Sequence, residues 1–469
     1  MPQINSFVAG SVCSHIGERC KPAILVLVLF TWLPGFAQEP GARAQAEAAA
    51  ASSPGTAPLT LTFQDALARA RINHPEYRTA LTDLGLARED RVQARAQLLP
   101  NVSYNGSFIY TQGTGQPSNC APTCTPRFIA NNDVHEYVSL ADIHQAVSLT
   151  NFADARRASA LLAEAQAKAE IARRGLVVTV TQAYYGLVIA QRKYATAQMA
   201  AAEAARFLDI SQKLENGGEV ARTDVIKARL QSQQQQRALQ EAQLDMERTR
   251  LELAVILFPD FNQDFAVVDD LQAPQPLPAF PEVETAGRKN NPELRAALAA
   301  LQAANHEVTA AWGGLLPSLA MDYFYGIDAN HFAIRTDGVR NLGYSAVASL
   351  QIPVFSWGAD RSKLKQAELR RDQSRLELTF AQRQLLGHLR QFYSEAEIAR
   401  SEMESLASSA EMAAESMRLT TLRYQAGEST VLEVVDAQNT LTQARNAYDD
   451  GQARFRIAVA NLQTLTGTF

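Results

Sequence analysis

Tyr424-Gln-Ala-Gly427-Glu-Ser-Thr-Val-Leu-Glu433-Val-Val-Asp436-Ala-Gln438 is a glycine turn that opens directly into a patterned helix. A counterpart, Leu214-Glu-Asn-Gly-Gly218-Glu-Val-Ala-Arg-Thr-Asp224-Val-Ile-Lys-Ala-Arg229, lies 209 positions earlier, the distance from Asp224 to Glu433. Beyond each turn, residues recur at alternating three- and four-residue steps without a gap. The first frame is Val225, Ala228, Ser232, Gln235, Leu239, Ala242, Met246, Thr249, Leu253 and Ile256. The second is Val434, Ala437, Leu441, Ala444, Tyr448, Gly451, Phe455, Ala458, Leu462 and Leu465. A 3.5-residue period sets one face of a long helix against a partner, so the chain is a duplication built on coiled-coil hairpins.

Other landmarks repeat as well. A helical pattern from Phe63 to Arg71 breaks at Asn73-His74-Pro75-Glu76 and resumes to Leu98-Leu99-Pro100. The second copy breaks at Asn290-Asn291-Pro292-Glu293 and stops at Leu315-Leu316-Pro317, with both prolines offset by 217. Proline lacks the amide donor that a helix interior needs, so it marks the boundaries. After each second proline the period becomes two. Val102, Tyr104, Phe108 and Tyr110 alternate with Ser103, Asn105 and Ser107; Leu319, Met321, Tyr323, Tyr325 and Ile327 alternate with Ser318, Ala320, Asp322, Phe324, Gly326 and Asp328. Alternation predicts strands with two unlike faces. A return strand spans Leu342 to Ile352, and its first-copy partner falls within Tyr137 to Leu149. That assignment rests on position, because Asp142 and His144 share the face that begins with Val138 and Leu140. Proline-free stretches from Asp154 to about Leu214 and from Asp360 to about Arg423 predict helices of about 60 residues, roughly 90 Å long. The Gln231 to Gln236 run reads as a polar coiled-coil surface.

Among the bulk properties, a net charge of -5 over 469 residues excludes a basic nucleic-acid surface. Arg19 and Lys21, the apolar run Ala23 to Phe30 and Gly35-Phe36-Ala37 form an export signal over residues 1–37, cleaved near Ala37. The run is shorter than the roughly 20 residues of a spanning helix, which argues against a membrane anchor. Residues 38–58 are a flexible Ala-, Pro- and Ser-rich leader, 59–257 the first repeat, 258–281 an irregular inter-repeat segment and 282–469 the second repeat. In an exported chain the pair Cys120 and Cys124 closes a small disulfide loop, with two free thiols or half a metal site as the alternatives. The seven histidines are scattered, and no metal, cofactor or catalytic motif emerges.

Four amphipathic strands of about ten residues each are long enough to cross a bilayer when tilted. One chain cannot close a barrel from four strands, and lipid does not tolerate open edges. Closure therefore requires an oligomer, each protomer giving a four-strand sector continuous with long helices. The expected fold is mainly α with a membrane β-barrel sector.

In their order and duplication these features resemble the TolC-like outer membrane efflux proteins, over Leu59 to Gly467. The resemblance implies a homotrimer whose strands form a barrel of about twelve in outer-membrane lipid, with an α-helical barrel in the periplasm, working with a periplasmic adaptor and an inner-membrane pump. It places two gate acids at Glu433 and Asp436, which would form stacked negative rings. From the residues alone, the same acids serve the dipole of a helix N-terminus. The family's closed tip is held by polar links, two of which match Asp224 and Tyr424. Ser429 stands where a well-studied member has arginine, and Arg222 is the substitute. Adaptor docking falls on the tip turns, at Gly217, Gly218, Gly427 and Glu428. The alternatives are a type I protein secretion duct and, from another class, a non-channel coiled-coil protein of the envelope.

Overall fold

The computed structural model describes residues 59–110, 135–272, 276–330, 338 and 340–468. The expected signal peptide and leader, and Cys120 and Cys124, lie outside them.

Each repeat opens with a short helix, a proline boundary and a longer helix. These are α1 (Phe63–Asn73) and α2 (Pro75–Ala96), then α5 (Phe280–Asn290) and α6 (Pro292–Gly313). Pro75 and Pro292 each occupy the first helical turn, where a missing N–H has no cost. Thr62 starts α1 with a reciprocal cap: Asp65 N donates to Thr62 Oγ1 and Thr62 N to Asp65 Oδ2, both at 3.2 Å. The strands follow, β2 (Asn101–Tyr110) with β3 (His135–Val147) and β5 (Ser318–Ala329) with β6 (Leu342–Gln351). The coiled-coil hairpins are α3 (Leu149–Asn216) with α4 (Arg222–Leu257) and α7 (Ala359–Gln425) with α8 (Val431–Thr466). At 68 residues, α3 is about 100 Å long. Every position of both heptad frames is buried or partly buried.

The four long strands form one antiparallel sheet in the order β2-β3-β5-β6, which joins the repeats through β3 and β5. Residues directly opposite in a ladder share a face. Tyr137, Ala141 and Ile143 therefore lie with Leu319, Met321, Tyr323 and Tyr325 on an exposed apolar face, while Asp142 and His144 lie with Asp322 and Phe324 on the other. His144 Nδ1 meets Asp322 Oδ1 at 2.5 Å, a polar tie across the junction of the repeats. At Gly326 (φ +154°) an added Cβ would lie 1.9 Å from the Ser139 carbonyl oxygen, so the local backbone conformation at this one position requires glycine. Among the described residues, strands β2 and β6 have one neighbour each.

The inter-repeat segment contains β4 (Phe265–Val267), paired in parallel with β1 (Leu59–Leu61). This pair packs on α3 in a cluster that includes Leu61, Val180, Tyr184, Leu187, Leu257 and Phe265. The Tyr184 hydroxyl donates to Val268 O at 2.7 Å and accepts from Val268 N at 3.1 Å. Burial pushes its pKa up to about 12, so it stays a neutral donor. Arg192 of α3 ties the same segment to α8, with Nε and Nη2 on Asp269 at 2.6 and 2.8 Å and Nη1 on Asp449 at 2.8 Å.

The Gln231 to Gln236 run departs from the expected polar surface. Gln231 and Gln235 turn inward, and both Nε2 groups donate to Asn439 Oδ1, at 3.1 and 3.3 Å. Helices α4 and α8 thus meet through amides.

Candidate channel gate

The two hairpin turns close the same way. Gly218 (φ +79°) and Gly427 (φ +76°) adopt left-handed conformations that a side chain would strain. At the first turn Gly218 N donates to Glu215 O at 2.9 Å and Glu219 N to Leu214 O at 2.9 Å. At the second, Gly427 N donates to Tyr424 O at 3.1 Å and Glu428 N to Arg423 O at 2.8 Å. This crossed pair is the Schellman closure, which satisfies carbonyls left over at a helix C-terminus.

The turns diverge where the next helix starts. Ala221, which precedes helix α4, offers it no side-chain cap, and Asp224 pairs with Lys227 at 3.5 Å. Helix α8 begins at Thr430 with a full capping box: Glu433 N donates to Thr430 Oγ1 at 3.3 Å, and Thr430 N donates to Glu433 Oε1 at 3.3 Å. Ser429 Oγ adds a bond to Glu433 Oε2 at 2.9 Å. The Ser429 hydroxyl and then the Thr430 groups hold the Glu433 carboxyl below the usual glutamate range, so it is ionised at neutral pH. Asp436 stands one turn further on, exposed, and makes no ion pair or hydrogen bond among the described residues. Both acids are solvent-facing, with exposed Leu432 beside Glu433.

Tyr424 is buried in the tip cluster with Phe207, Ala228, Val431 and Val434, its ring 4.9 Å from that of Phe207. Its hydroxyl donates to Ser211 Oγ of α3 at 3.1 Å, tying the two hairpins together. Within the chain Tyr424 and Asp224 are therefore not partners of one another. Arg222 occupies the first position of α4, and Arg423 Nη2 donates to the Glu428 carbonyl at 3.2 Å. Gly217 caps α3, and Gly218, Gly427 and Glu428 form the turn surface. The Thr430-x-x-Glu433 cap carries a sequence signature; Ser211 carries none, being 213 residues from Tyr424.

At the tip, the helix that follows the first turn opens with Asp224 paired to Lys227, whereas the helix that follows the second projects two exposed carboxylates, Glu433 and Asp436. A sequence profile described as outer membrane efflux protein matches residues 66–257 and 286–468. The chain is similar to the alkaline protease secretion protein AprF of Pseudomonas aeruginosa, 24% identical over 403 residues that cover 84% of this chain and 82% of AprF. It is also similar to the outer membrane protein TolC of Escherichia coli, 22% identical over 410 residues, covering 85% and 81% of the two chains. The fold matches the crystal structure of the CmeC outer membrane channel of Campylobacter jejuni with a TM-score of 0.74 and 17% identity, covering 86% of this chain and 85% of that one.

Proposed function

The chain belongs to the outer membrane efflux protein family, and from that premise we propose that it is the exit duct of a tripartite efflux system. Three copies enclose a conduit that crosses the outer membrane and extends through the periplasm as a helical barrel. An inner-membrane pump and a periplasmic adaptor hand over small molecules such as drugs, toxic compounds or metal ions. The duct is passive, and no catalytic step is assigned to it.

The observation that carries this reading is the four-stranded sheet. It has an exposed apolar face, a second face bearing Asp142, His144 and Asp322, and two edges without a neighbour among the described residues, and it is continuous with helices about 100 Å long. Such a sheet is stable in lipid only when copies close it. We assign Glu433 and Asp436 to the gate, Tyr424, Asp224 and Arg222 to holding the tip shut, and the Gly217–Gly218 and Gly427–Glu428 turns to adaptor contact. Reconstitution of the purified protein into planar bilayers tests the reading. Discrete conductance from a trimeric species supports it, and a soluble monomer without conductance overturns it.

A second reading, a duct for secreted polypeptide, is favoured by the similarity to AprF. Co-expression with a polypeptide-exporting pump separates the two: export of that pump's protein substrate would require the secretion reading.

A further inference from the structure

The edges of the four-stranded sheet carry enough information to fix how neighbouring copies meet, and we propose the residue register of the junction between protomers. The inference rests on the trimeric channel reading but goes beyond it, to which residue faces which.

The duplication supplies the rule. Within the first repeat Asn101 pairs with His144, and within the second Ser318 pairs with Gln351. Strand β5 therefore corresponds to β2 shifted by 217 positions (Asn101 to Ser318), and β6 to β3 shifted by 207 (His144 to Gln351). The 217 shift is also the offset between Pro100 and Pro317, so the equivalence does not depend on the sheet alone. The joint between repeats, β3 against β5, is recorded over Tyr137↔Ala329 to Val147↔Leu319. When the barrel closes, β6 must meet β2 of the next copy, the same kind of joint one repeat further on.

Applying the shifts converts each internal pair into a junction pair. Ala141↔Tyr325 becomes Ala348 opposite Phe108 of the partner subunit. Ser139↔Ile327 becomes Ala346 opposite Tyr110 of the partner subunit. His144↔Asp322 becomes Gln351 opposite Asn105 of the partner subunit.

The chemistry agrees with the arithmetic. An alanine opposite an aromatic ring at the internal joint reappears as an alanine opposite an aromatic ring at the junction. Both positions lie on the exposed apolar face, where Phe108 is 54% exposed in the single chain. On the inner face the His144–Asp322 tie is replaced by an amide pair, and Asp142↔Phe324 by two serines, Ser349 and Ser107 of the partner subunit. Pro353 has no N–H, so the new ladder ends at Ile352. The titratable side chains of the inner face thus concentrate at the three internal joints, and the paired residues at the three junctions between copies carry none.

Cysteine pairs in a Cys120→Ser, Cys124→Ser background test the register. Directly opposite residues lie about 4.5–5.5 Å apart and diagonal ones about 7–8 Å, at the limit of disulfide reach. Ala348→Cys with Phe108→Cys, and independently Ala346→Cys with Tyr110→Cys, are expected to give trimers that resist denaturant until thiol is added. Ala346→Cys with Phe108→Cys, off by two residues, should cross-link at least several-fold more slowly. Faster cross-linking by the off-register pair overturns the register while leaving the trimer intact. Absence of cross-links in every pair, with a monomer in the membrane extract, instead removes the trimeric reading. Each single-cysteine variant must retain wild-type conductance, which separates misfolding from misregister.

Discussion

At the scale of single residues, the second turn is where charge and capping coincide. Glu433 bonds the backbone it caps and remains ionised, whereas Asp436 has no such engagement. In a trimer both would form rings of three carboxylates. Asp436→Asn is expected to lower the cation-over-anion permeability ratio several-fold, and Glu433→Gln to lower it while keeping the cap, since glutamine serves at that position. Unchanged reversal potentials in both variants would place these acids outside the constriction. The pH dependence has a definite sign. Because the folded pKa of Glu433 lies below its ordinary 4.5, its bonds are fully present above that value and are lost as pH falls through the lower folded value. The cap on α8 should therefore persist at pH 4.5, read as slow exchange of the Thr430 and Glu433 amides.

Tyr424→Phe should remove the bond to Ser211, cost about 1 kcal/mol and raise closed-state conductance. Ser211→Ala should reproduce the effect. If only Asp224→Ala opened the channel, contacts between protomers rather than this buried bond would be the operative link. The position of Tyr424 was legible beside its glycine turn. Its partner was not, because a contact spanning 213 residues leaves no local pattern.

At the scale of elements, the helices and their boundaries were the most legible features, since prolines, glycines and heptads act on the backbone locally. The β1–β4 pair was not, because three-residue strands are too short to show alternation. Strand β3 resisted its pattern for a different reason. Its inner face carries Val138 and Leu140 and then Asp142 and His144, and a lumen face need not be polar throughout. The Gln231 to Gln236 run reads from sequence as a polar coiled-coil surface, but its amide contact with α8 is not legible there, since Gln231 and Gln235 are buried and share an acceptor more than 200 residues away. Asn439→Leu removes that acceptor and leaves two buried amides unpaired, at about 1–3 kcal/mol each. The expected result is faster amide hydrogen exchange in the tip half of α8 with little change near Arg192. Uniform exchange along α8 would show that the amides do not hold this stretch.

At the scale of the molecule, the single chain leaves apolar stripes uncovered. Leu369, Leu376 and Phe380 are 59%, 71% and 58% exposed along α7, and α2 has no buried residue at all. Neighbouring copies cover such surface in a closed barrel. Leu376→Asp is therefore expected to shift the trimer towards monomer in native electrophoresis, without loss of helix by circular dichroism. A stable trimer would exclude this stripe from the interface. Oligomerisation could be argued from sequence through the unclosable strand count, but the α7 stripe could not, because heptad positions do not reveal which face meets which copy.

The helices inserted between β3 and β5 also dictate a sequence of events in time. Each coiled-coil hairpin closes through a turn of a few residues, whereas His144 and Asp322 are separated by 178 residues. Loop-closure entropy grows with that separation, and non-local pairing is slow. The hairpins therefore nucleate first and the sheet is completed last, once both repeats have emerged. The molecule is built from its periplasmic stalk towards the membrane, and its lipid-facing surface comes into existence only at the final step.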